Sequence, residues 1–366
     1  MRRLRIGVVG AGHLGRIHAR ILSKLDGVRL MGVSDPSEQA RSLVIENVRT
    51  AAFSSHEELL PLVDAIVLAA PTSLHHALGL ELIAAGKHVM IEKPLAATAQ
   101  TARELATAAQ AAGVVLQVGH VERYNPALQA AQPITRNPKY IDAVRCGGFT
   151  GRSLDVGVVL DLMIHDLDLI LAMNNAPVTQ VDAIGLAALG EHEDLANARI
   201  TFANGCVANV SASRISPEPT RRMQVFSEAG FARLDFAARS ANVVRPTQEL
   251  ATRQFDVEQI APAARAEAVA AALSKETITP APVDQLTEEL NEFVRCVREQ
   301  AVPQCGGAQG SQAIEVAEMV LGKIAEHRWD GTADGPQGPH ATPAPSILRG
   351  PHWSRVAAPA EHREAS

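Results

Sequence analysis

The sequence has few of the side chains and segments that mark several classes of protein. Aromatic residues make up only 3% of its 366 residues, and acidic residues outnumber basic ones by 40 to 34. Proteins that bind nucleic acid usually carry a basic surface with aromatic side chains for stacking, so nucleic acid is not a predicted partner. No stretch approaches the roughly 20 consecutive apolar residues of a transmembrane helix. We therefore predict no membrane insertion.

Cysteine is also scarce. The four cysteines are scattered and form no C-x-x-C pair: Cys146, Cys206, Cys296 and Cys305. Structural zinc sites and disulfide frameworks need recurring cysteine spacings, so we predict free thiols and no metal. The apolar run that follows the basic start is short and ends at Gly10, which indicates a first β-strand rather than a secretion signal. A cytoplasmic location is expected.

The first part of the chain alternates between strand and helix patterns. Short apolar runs predict strands over 4–9, 28–33, 65–69, 88–91 and 114–118, with helical spacing between them. Strands that alternate with helices of this length indicate parallel βαβ units. The sequence therefore predicts an α/β fold whose N-terminal part, residues 1–122, is a doubly wound parallel sheet of the Rossmann type.

The pattern changes after this domain. One helix is predicted over 161–173, and period-two alternation between 178 and 244 predicts antiparallel strands. Helices over 285–298 and 311–327 close this second, α+β domain, which we predict to span residues 123–330. The remaining residues, 331–366, are rich in Gly, Pro, Ala and His and predict a disordered tail.

A glycine-rich motif follows the first predicted strand at once. The strand leads into Gly10-Ala11-Gly12-His13-Leu14-Gly15, and a helical pattern follows. In this context Gly10 allows the tight turn, Gly12 lets a pyrophosphate approach the backbone, and Gly15 lets the helix pack close to the strand. Asp35 ends the second strand, where a carboxylate accepts hydrogen bonds from ribose hydroxyls and repels a 2′-phosphate. NAD is therefore the predicted cofactor, in preference to NADP.

Two further clusters suit the oxidation of an alcohol. Glu92-Lys93-Pro94 follows a predicted strand, at the carboxyl edge of the sheet. Asp161 and His165 are four residues apart on a predicted helix and so share a face, with Asp168 nearby. Alcohol oxidation by NAD needs a base for the hydroxyl proton and a positive group that stabilises the developing alkoxide. Histidine suits the first role because it titrates near neutral pH, and a lysine suits the second.

The order of these motifs resembles the glucose–fructose oxidoreductase/inositol dehydrogenase/MocA family. The resemblance is carried by the glycine motif, Pro71-Thr72 with His75, Glu92-Lys93-Pro94, Gly119 with Arg123, and Asp161 with His165. It implies an NAD-dependent sugar dehydrogenase. It also implies a Rossmann domain followed by an α+β domain with a large, mostly antiparallel open sheet. That sheet commonly forms an oligomer interface in the family, so a homo-oligomer, a dimer or a tetramer, is expected.

The resemblance also implies roles for single residues. Lys93 is the catalytic-site lysine, His165 is the general base, and Asp161 lies in the substrate pocket. The peptide bond before Pro94 is expected to be cis. Together with the motif analysis, the resemblance predicts the following cofactor-binding residues: Gly10, Gly12, His13, Leu14, Gly15, Asp35, Pro71, Thr72, His75, Glu92 and Lys93.

One segment suggests the substrate. Val118 to Pro126 resembles the corresponding stretch of the family's UDP-N-acetylglucosamine 3-dehydrogenases, which oxidise the 3-hydroxyl of that sugar nucleotide to a ketone during the synthesis of 3-amino sugars for lipid A. This subgroup resemblance makes Arg123, Tyr124 and Asn125 candidate substrate contacts, beside Asp161 and His165.

Other interpretations stay open at this point. His165 and its neighbouring aspartates also fit a solvated helix face or a metal site. The substrate can equally be another sugar, inositol or a different nucleotide sugar, because motif resemblance separates substrates poorly. A dinucleotide-binding sensor without turnover is the alternative of another class. Cofactor binding without activity on any sugar would favour it.

Overall fold

Two β-sheets, each covered by helices, position the predicted site residues. The computed structural model describes residues 2–132, 134–149, 151 and 156–340. None of the helices in these ranges has the length and hydropathy needed to cross a bilayer.

The first sheet is entirely parallel and has the strand order β3-β2-β1-β4-β5-β6. Its strands are β1 (Leu4–Val9), β2 (Val28–Ser34), β3 (Ala51–Phe53), β4 (Ala65–Leu68), β5 (His88–Glu92) and β6 (Leu116–Gly119). The order reverses between β1 and β4, which leaves a crevice outside the carboxyl ends of these strands. The predicted doubly wound Rossmann sheet is confirmed. Only β3 was not predicted, because three residues are too few to show a periodicity.

Helices cover both faces of this sheet. They are α1 (His13–Leu22), α2 (Glu38–Ile45), α3 (His56–Leu59), α4 (Thr72–Ala84) and α5 (Ala99–Ala112). The ends of α5 show why the chain is helical here and no further. The hydroxyl of Thr98 accepts a hydrogen bond from the Thr101 N–H at the start, and Gly113 is left-handed at the end, with a φ of 64°.

The second sheet has eight strands in the order β14-β13-β12-β11-β7-β10-β9-β8. Neighbouring strands are antiparallel except for the pair β7 and β10, so the sheet is mostly antiparallel, as the resemblance implied. Its strands are β7 (Tyr140–Cys146), β8 (Val178–Leu186), β9 (Leu195–Phe202), β10 (Val207–Ser213), β11 (Thr220–Ser227), β12 (Gly230–Asp235), β13 (Ser240–Pro246) and β14 (Leu273–Ile278). Alternate residues of each central strand are buried against the helices.

The remaining helices are α6 (Pro126–Ala130), α7 (Ile164–Met173), α8 (Gln248–Ala251), α9 (Arg265–Ala271), α10 (Gln285–Glu299) and α11 (Gly307–Glu326). Helix α10 follows the second sheet along the chain but packs on the first. Its fully buried Leu290 and Phe293 share one apolar cluster with Ile6 and Leu22. Helix α11 packs against both α5 and β8. The last two helices therefore join the two sheets.

The described part of the predicted tail forms a turn against the second sheet. The Trp329 indole N–H donates to the Gly338 carbonyl at 2.9 Å, and the Ala187 N–H donates to the Pro339 carbonyl at 3.0 Å. This turn differs from the predicted disorder up to His340, because these hydrogen bonds attach the segment just beyond β8. The rest of the tail, 341–366, lies outside the described residues.

Candidate active site

A cavity of about 1070 Å³ opens at the carboxyl ends of β1, β4 and β5. Its opposite wall is formed by the start of α7 and by the turn that precedes this helix. Most of the predicted site residues line it: Gly10, Gly12, His13, Leu14, Asp35, Pro71, Thr72, Lys93, Asp161 and His165. The crevice at the strand-order reversal and the predicted chemical groups thus belong to one site.

The three glycines of the motif meet three different spatial requirements. Gly10 has a φ of 98°, and a Cβ there would lie 2.5 Å from the Ala69 carbonyl oxygen. A Cβ on Gly15 would overlap the carbonyl oxygen of Gly10, so helix α1 can lie this close to β1 only with glycine. Around Gly12, by contrast, no atom of the described residues lies within 4 Å of such a Cβ. The space above Gly12 is therefore open to a ligand.

The start of helix α1 faces this open space. No side chain caps the helix at Gly12, and its first turn contains no acidic residue. Unpaired N–H groups and the positive end of the helix dipole suit an anion such as the pyrophosphate of a dinucleotide. The site thus fits the predicted cofactor in its shape and in its donors.

Asp35 is fixed at the other end of the cavity. Its Oδ2 accepts a hydrogen bond from the Ala11 N–H at 2.7 Å, and its Oδ1 accepts one from the Ser37 N–H at 2.8 Å. The Arg41 guanidinium donates instead to the main-chain carbonyls of Asp35 and Pro36. The carboxylate therefore keeps its negative charge towards the cavity, which favours ribose hydroxyls over a 2′-phosphate.

Lys93 and Asp161 form the centre of the candidate catalytic group. The Lys93 ammonium donates to Asp161 Oδ1 at 2.9 Å and to the Asp161 carbonyl oxygen at 2.8 Å. Lys93 follows the last residue of β5, and the bond between Lys93 and Pro94 is cis, as expected. The strand end thus delivers the ammonium to the wall that carries His165.

The helix predicted over 161–173 is two segments. Residues Val159–Met163 form a π-helical turn, in which the Ile164 N–H donates to the Val159 carbonyl, and α7 begins only at Ile164. Single π-helical turns of this kind are frequent at functional sites. Asp161 lies within the wider turn, so its position relative to His165 is not the simple four-residue step that the sequence predicted.

His165 is held in its neutral form. Burial lowers its pKa well below the usual range, and the positive charges of Lys93 and Arg145 lower it further. Its Nδ1 is enclosed without a hydrogen-bond partner among the described residues. The His120 and His165 rings are in edge contact, with their centroids 6.3 Å apart. A neutral imidazole at the cavity wall is ready to accept a proton.

Two predicted cofactor residues lie one layer behind the cavity wall. His75 has its ring nitrogens 2.8 Å from the carbonyl oxygens of Ala70 and Pro94, and so connects the loops that follow β4 and β5. Glu92 contacts His18 Nε2 at 2.5 Å. Burial alone would raise the pKa of Glu92, but the pair with His18 and the charge of Lys93 bring it below its usual range. These residues support the site without lining it.

Of the five residues predicted to contact substrate, Asp161 and His165 line the cavity, whereas Arg123, Tyr124 and Asn125 do not. The Arg123 guanidinium donates to both carboxylate oxygens of Asp168 at 2.7 Å. Tyr124 lines a separate cavity beside α10, and Asn125 is fully buried, where its Oδ1 accepts a hydrogen bond from the Ala127 N–H at the start of α6. The 3₁₀ turn Val121–Tyr124 carries Arg123 and Tyr124, and neither residue lines the cavity that contains His165. Their contact with substrate therefore stays a prediction.

Two family models match the chain. One, described as an oxidoreductase family with an NAD-binding Rossmann fold, matches residues 4–120, and one described as the GFO/IDH/MocA C-terminal domain matches residues 134–233. The protein belongs to the GFO/IDH/MocA oxidoreductase family. The family assignment and the predicted NAD cofactor are thereby confirmed.

Individual relatives agree with this assignment. The chain is 36% identical to a UDP-N-acetylglucosamine 3-dehydrogenase from Acidithiobacillus ferrooxidans over 87% of its own length and 97% of the relative's. A solved structure of an enzyme of that name from the same organism matches with a TM-score of 0.78 at 33% identity, covering 88% of this chain and 98% of that chain. A levoglucosan dehydrogenase in complex with NADH matches with a TM-score of 0.75, covering 88% of this chain and 97% of that one, but its 15% identity shows the fold alone.

A buried group behind the site of this oxidoreductase contains atoms typical of metal ligands. Atoms of His120, Asp168 and Cys305 lie within 4.8 Å of one another. However, Asp168 already pairs with the Arg123 guanidinium, whose positive charge disfavours a cation there. Burial also raises the pKa of the Cys305 thiol well above its usual range, so the sulfur stays protonated. The chemistry of this group favours a structural ion pair over a metal site.

Sequence reasoning missed Arg221, a charged residue of the cavity wall. It lies on β11, opposite Arg145 of β7 in the strand register, and lines the same cavity as His165. A strand arginine carries no local signal that separates a site residue from an ordinary surface charge. Only the pairing of the two strands shows where it points.

Proposed function

We propose that this protein oxidises the 3-hydroxyl of UDP-N-acetylglucosamine to a ketone, with NAD as the hydride acceptor. One observation carries the proposal. Lys93, paired with Asp161, and a neutral His165 line the same cavity as Gly12 and Asp35. An alcohol in this cavity would meet a base, a cation and the cofactor site together, which is what its oxidation requires. The similarity to a UDP-N-acetylglucosamine 3-dehydrogenase over most of both chains supports the choice of substrate.

The roles of the residues follow from their charges. His165 takes the hydroxyl proton, because its neutral imidazole has a free capacity to bind one. The Lys93 ammonium donates a hydrogen bond to the substrate oxygen and stabilises its developing negative charge. Asp161 orients the ammonium through two hydrogen bonds, one from its side chain and one from its carbonyl. Gly10, Gly12 and Asp35 would hold NAD, which would supply the hydride acceptor for the carbon that bears this hydroxyl.

The proposal extends to the setting of the reaction. A 3-keto nucleotide sugar is a substrate for transamination, which yields a 3-amino sugar of the kind used in lipid A. NAD and nucleotide sugars are cytoplasmic metabolites, so we place the enzyme in the cytoplasm.

We also propose that the chain has two domains, residues 1–122 and 123–330. The protein would form a homo-oligomer that associates through the outer face of the second sheet. Tyr140, Phe226 and Phe231 form an aromatic cluster on that sheet, and Phe226 is 41% exposed.

An absorbance assay tests the proposed reaction. Purified protein with NAD and UDP-N-acetylglucosamine should form NADH, and mass spectrometry should find a product lighter than the substrate by two hydrogens. The panel should include free N-acetylglucosamine and scyllo-inositol, because a scyllo-inositol 2-dehydrogenase from Bacillus subtilis is 30% identical over 59% of this chain and 68% of its own length. Turnover of inositol alone would reject the nucleotide-sugar assignment. NAD binding without turnover of any compound would support a sensor.

A further inference from the structure

We propose that Arg221 and a small cavity beside it bind the phosphate groups of a nucleotide-linked substrate. The inference rests on the proposed function and names the part of the site that would separate a nucleotide sugar from a free sugar. The sequence motifs assign no role to this residue.

The position of Arg221 joins two cavities. A smaller cavity of about 220 Å³ adjoins the main one, and the two share Asp161, Leu162 and Arg221 in their walls. Asp161 also holds Lys93, so the shared wall lies directly beside the proposed catalytic group. A substrate whose hydroxyl is placed at His165 would therefore have Arg221 and the smaller cavity beside it.

Arg221 differs from the neighbouring arginines in its charge balance. Arg145, its partner in the strand register, is buried and forms ion pairs with Asp166 and Glu122. Arg214 pairs with Asp194. Arg221 is exposed, and it forms no ion pair or side-chain hydrogen bond with any residue in the described part of the chain. Among the described residues, no acidic side chain pairs with its guanidinium.

The acidic group of the shared wall does not cancel this charge. The Asp161 carboxylate is already neutralised by the Lys93 ammonium at 2.9 Å. The charge of Arg221 is also felt at the base, because it is one of the positive charges that hold the pKa of His165 low. A planar guanidinium with free donors is suited to phosphate, which it can bind through two parallel hydrogen bonds.

The other walls of the smaller cavity leave room for such a group. Gly147 and Gly148 form part of it, and a Cβ on Gly147 would meet no atom of the described residues within 4 Å. Phe149, 45% exposed, adds an apolar surface at the same cavity. The combination of one unneutralised guanidinium, open main chain and one aromatic ring fits a phosphate-bearing ligand better than an uncharged sugar.

The test compares three variants of one strand. Arg221→Gln removes the charge, Arg221→Lys keeps the charge without the fork of donors, and Arg222→Gln is the matched control because adjacent residues of a strand face opposite sides. Loss of a charge-assisted hydrogen bond should raise the KM for UDP-N-acetylglucosamine and the inhibition constant of UDP by about 10- to 100-fold in Arg221→Gln. Arg221→Lys should lie between it and the unmodified protein. NAD affinity should stay unchanged in all three.

The outcomes separate this inference from the proposed function. Turnover of UDP-N-acetylglucosamine with unaltered KM and UDP inhibition in Arg221→Gln would overturn the phosphate site and leave the function intact. An equal loss in Arg222→Gln would also overturn it, since the effect would then be a general one of charge. If the unmodified protein does not oxidise this substrate, UDP binding measured calorimetrically with NADH present decides. Binding weakened only by the Arg221 variants supports the site, and binding that is absent or insensitive rejects it.

Discussion

His165 shows how strongly one residue depends on its surroundings. The same imidazole on a solvated helix face would be partly protonated near neutral pH. Here burial and neighbouring positive charges lower its pKa, and no carboxylate among the described residues accepts a hydrogen bond from its Nδ1. The surroundings therefore favour a base that remains active in mildly acidic solution.

The pH dependence of turnover tests this view of His165. Because the pKa of the folded protein's imidazole lies below the ordinary value, kcat/KM should hold steady as the pH falls to about 6.5 and decline only below it. His165→Asn should remove this acid limb and lower kcat by about 10²- to 10⁴-fold with little change in NAD affinity. An acid limb centred above neutral pH, or equal losses in kcat and NAD affinity, would show that another group is the base.

Glu289 is a second residue whose titration depends on its surroundings. It is fully buried on α10, and neither carboxylate oxygen has a hydrogen-bond partner among the residues described. Burial raises its pKa well above the usual range, and the charges of Glu92 and Asp168 raise it further. A group whose pKa is raised by folding contributes stability below its unfolded pKa and loses it as the pH rises towards the folded value.

Glu289→Gln should therefore stabilise the protein most at high pH. We expect the free energy of unfolding of the variant to exceed that of the unmodified protein by about 1 kcal/mol or more near pH 9, with a smaller difference near pH 5. Urea unfolding at several pH values measures it. Stability curves that run parallel across this range would contradict a neutral, destabilising carboxyl at this position.

The glycine turn into α1 is the element that creates the cofactor site. Its three glycines look alike in the sequence but serve different contacts, since Gly15 packs on protein and Gly12 faces open space. The π-helical turn before α7 is a second element that shapes the site. That turn has no periodicity signal of its own, yet it places the Asp161 carbonyl within reach of Lys93.

A pair of alanine substitutions separates the two kinds of glycine. Gly15→Ala should cost roughly 1–3 kcal/mol of folding stability, because the added methyl group overlaps main chain that cannot move aside easily. Gly12→Ala should leave stability within about 0.5 kcal/mol but weaken NAD binding by tenfold or more, since its methyl group enters ligand space. Thermal unfolding and NAD titration give the two readouts. Unchanged NAD binding in Gly12→Ala would place the pyrophosphate elsewhere.

Helix α10 connects the two parts of the molecule. Helix α10 returns from the second sheet and covers the first, where Phe293 is fully buried beside strand and helix residues of the Rossmann part. The first sheet is therefore not covered by its own helices alone. Its stability depends on a segment more than one hundred residues away in sequence from β6.

Phe293→Ala tests this dependence. Removing a buried aromatic ring should lower the free energy of unfolding by about 3–5 kcal/mol, even though no residue of the dinucleotide motif is altered. Val302→Ala is the control, because Val302 lies just after α10 and is 83% exposed. A loss for Phe293→Ala that is no larger than the control's would mean that α10 is not part of the first sheet's core.

Local patterns in the sequence were enough to predict the Rossmann sheet, the glycine turn, Asp35 and the Lys93, Asp161 and His165 group. Each of these has a local signature of its own, and the carboxyl ends of parallel strands meet at one edge by geometry. The contact between Lys93 and Asp161, 68 residues apart, is a property of the tertiary structure. The family resemblance supplied the roles that spacing alone left open.

Only the tertiary structure decided which way other side chains point. Arg123 and Asn125 lie beside the motif in sequence but turn inward, since Asp168 and the start of α6 take up their polar groups. Arg221 lies at the cavity because β11 pairs with β7. Phe293 lies in the core of the first sheet because α10, which follows the second sheet in the chain, packs on the first. Such contacts join distant segments, and short-range periodicity contains no information about which distant segments meet.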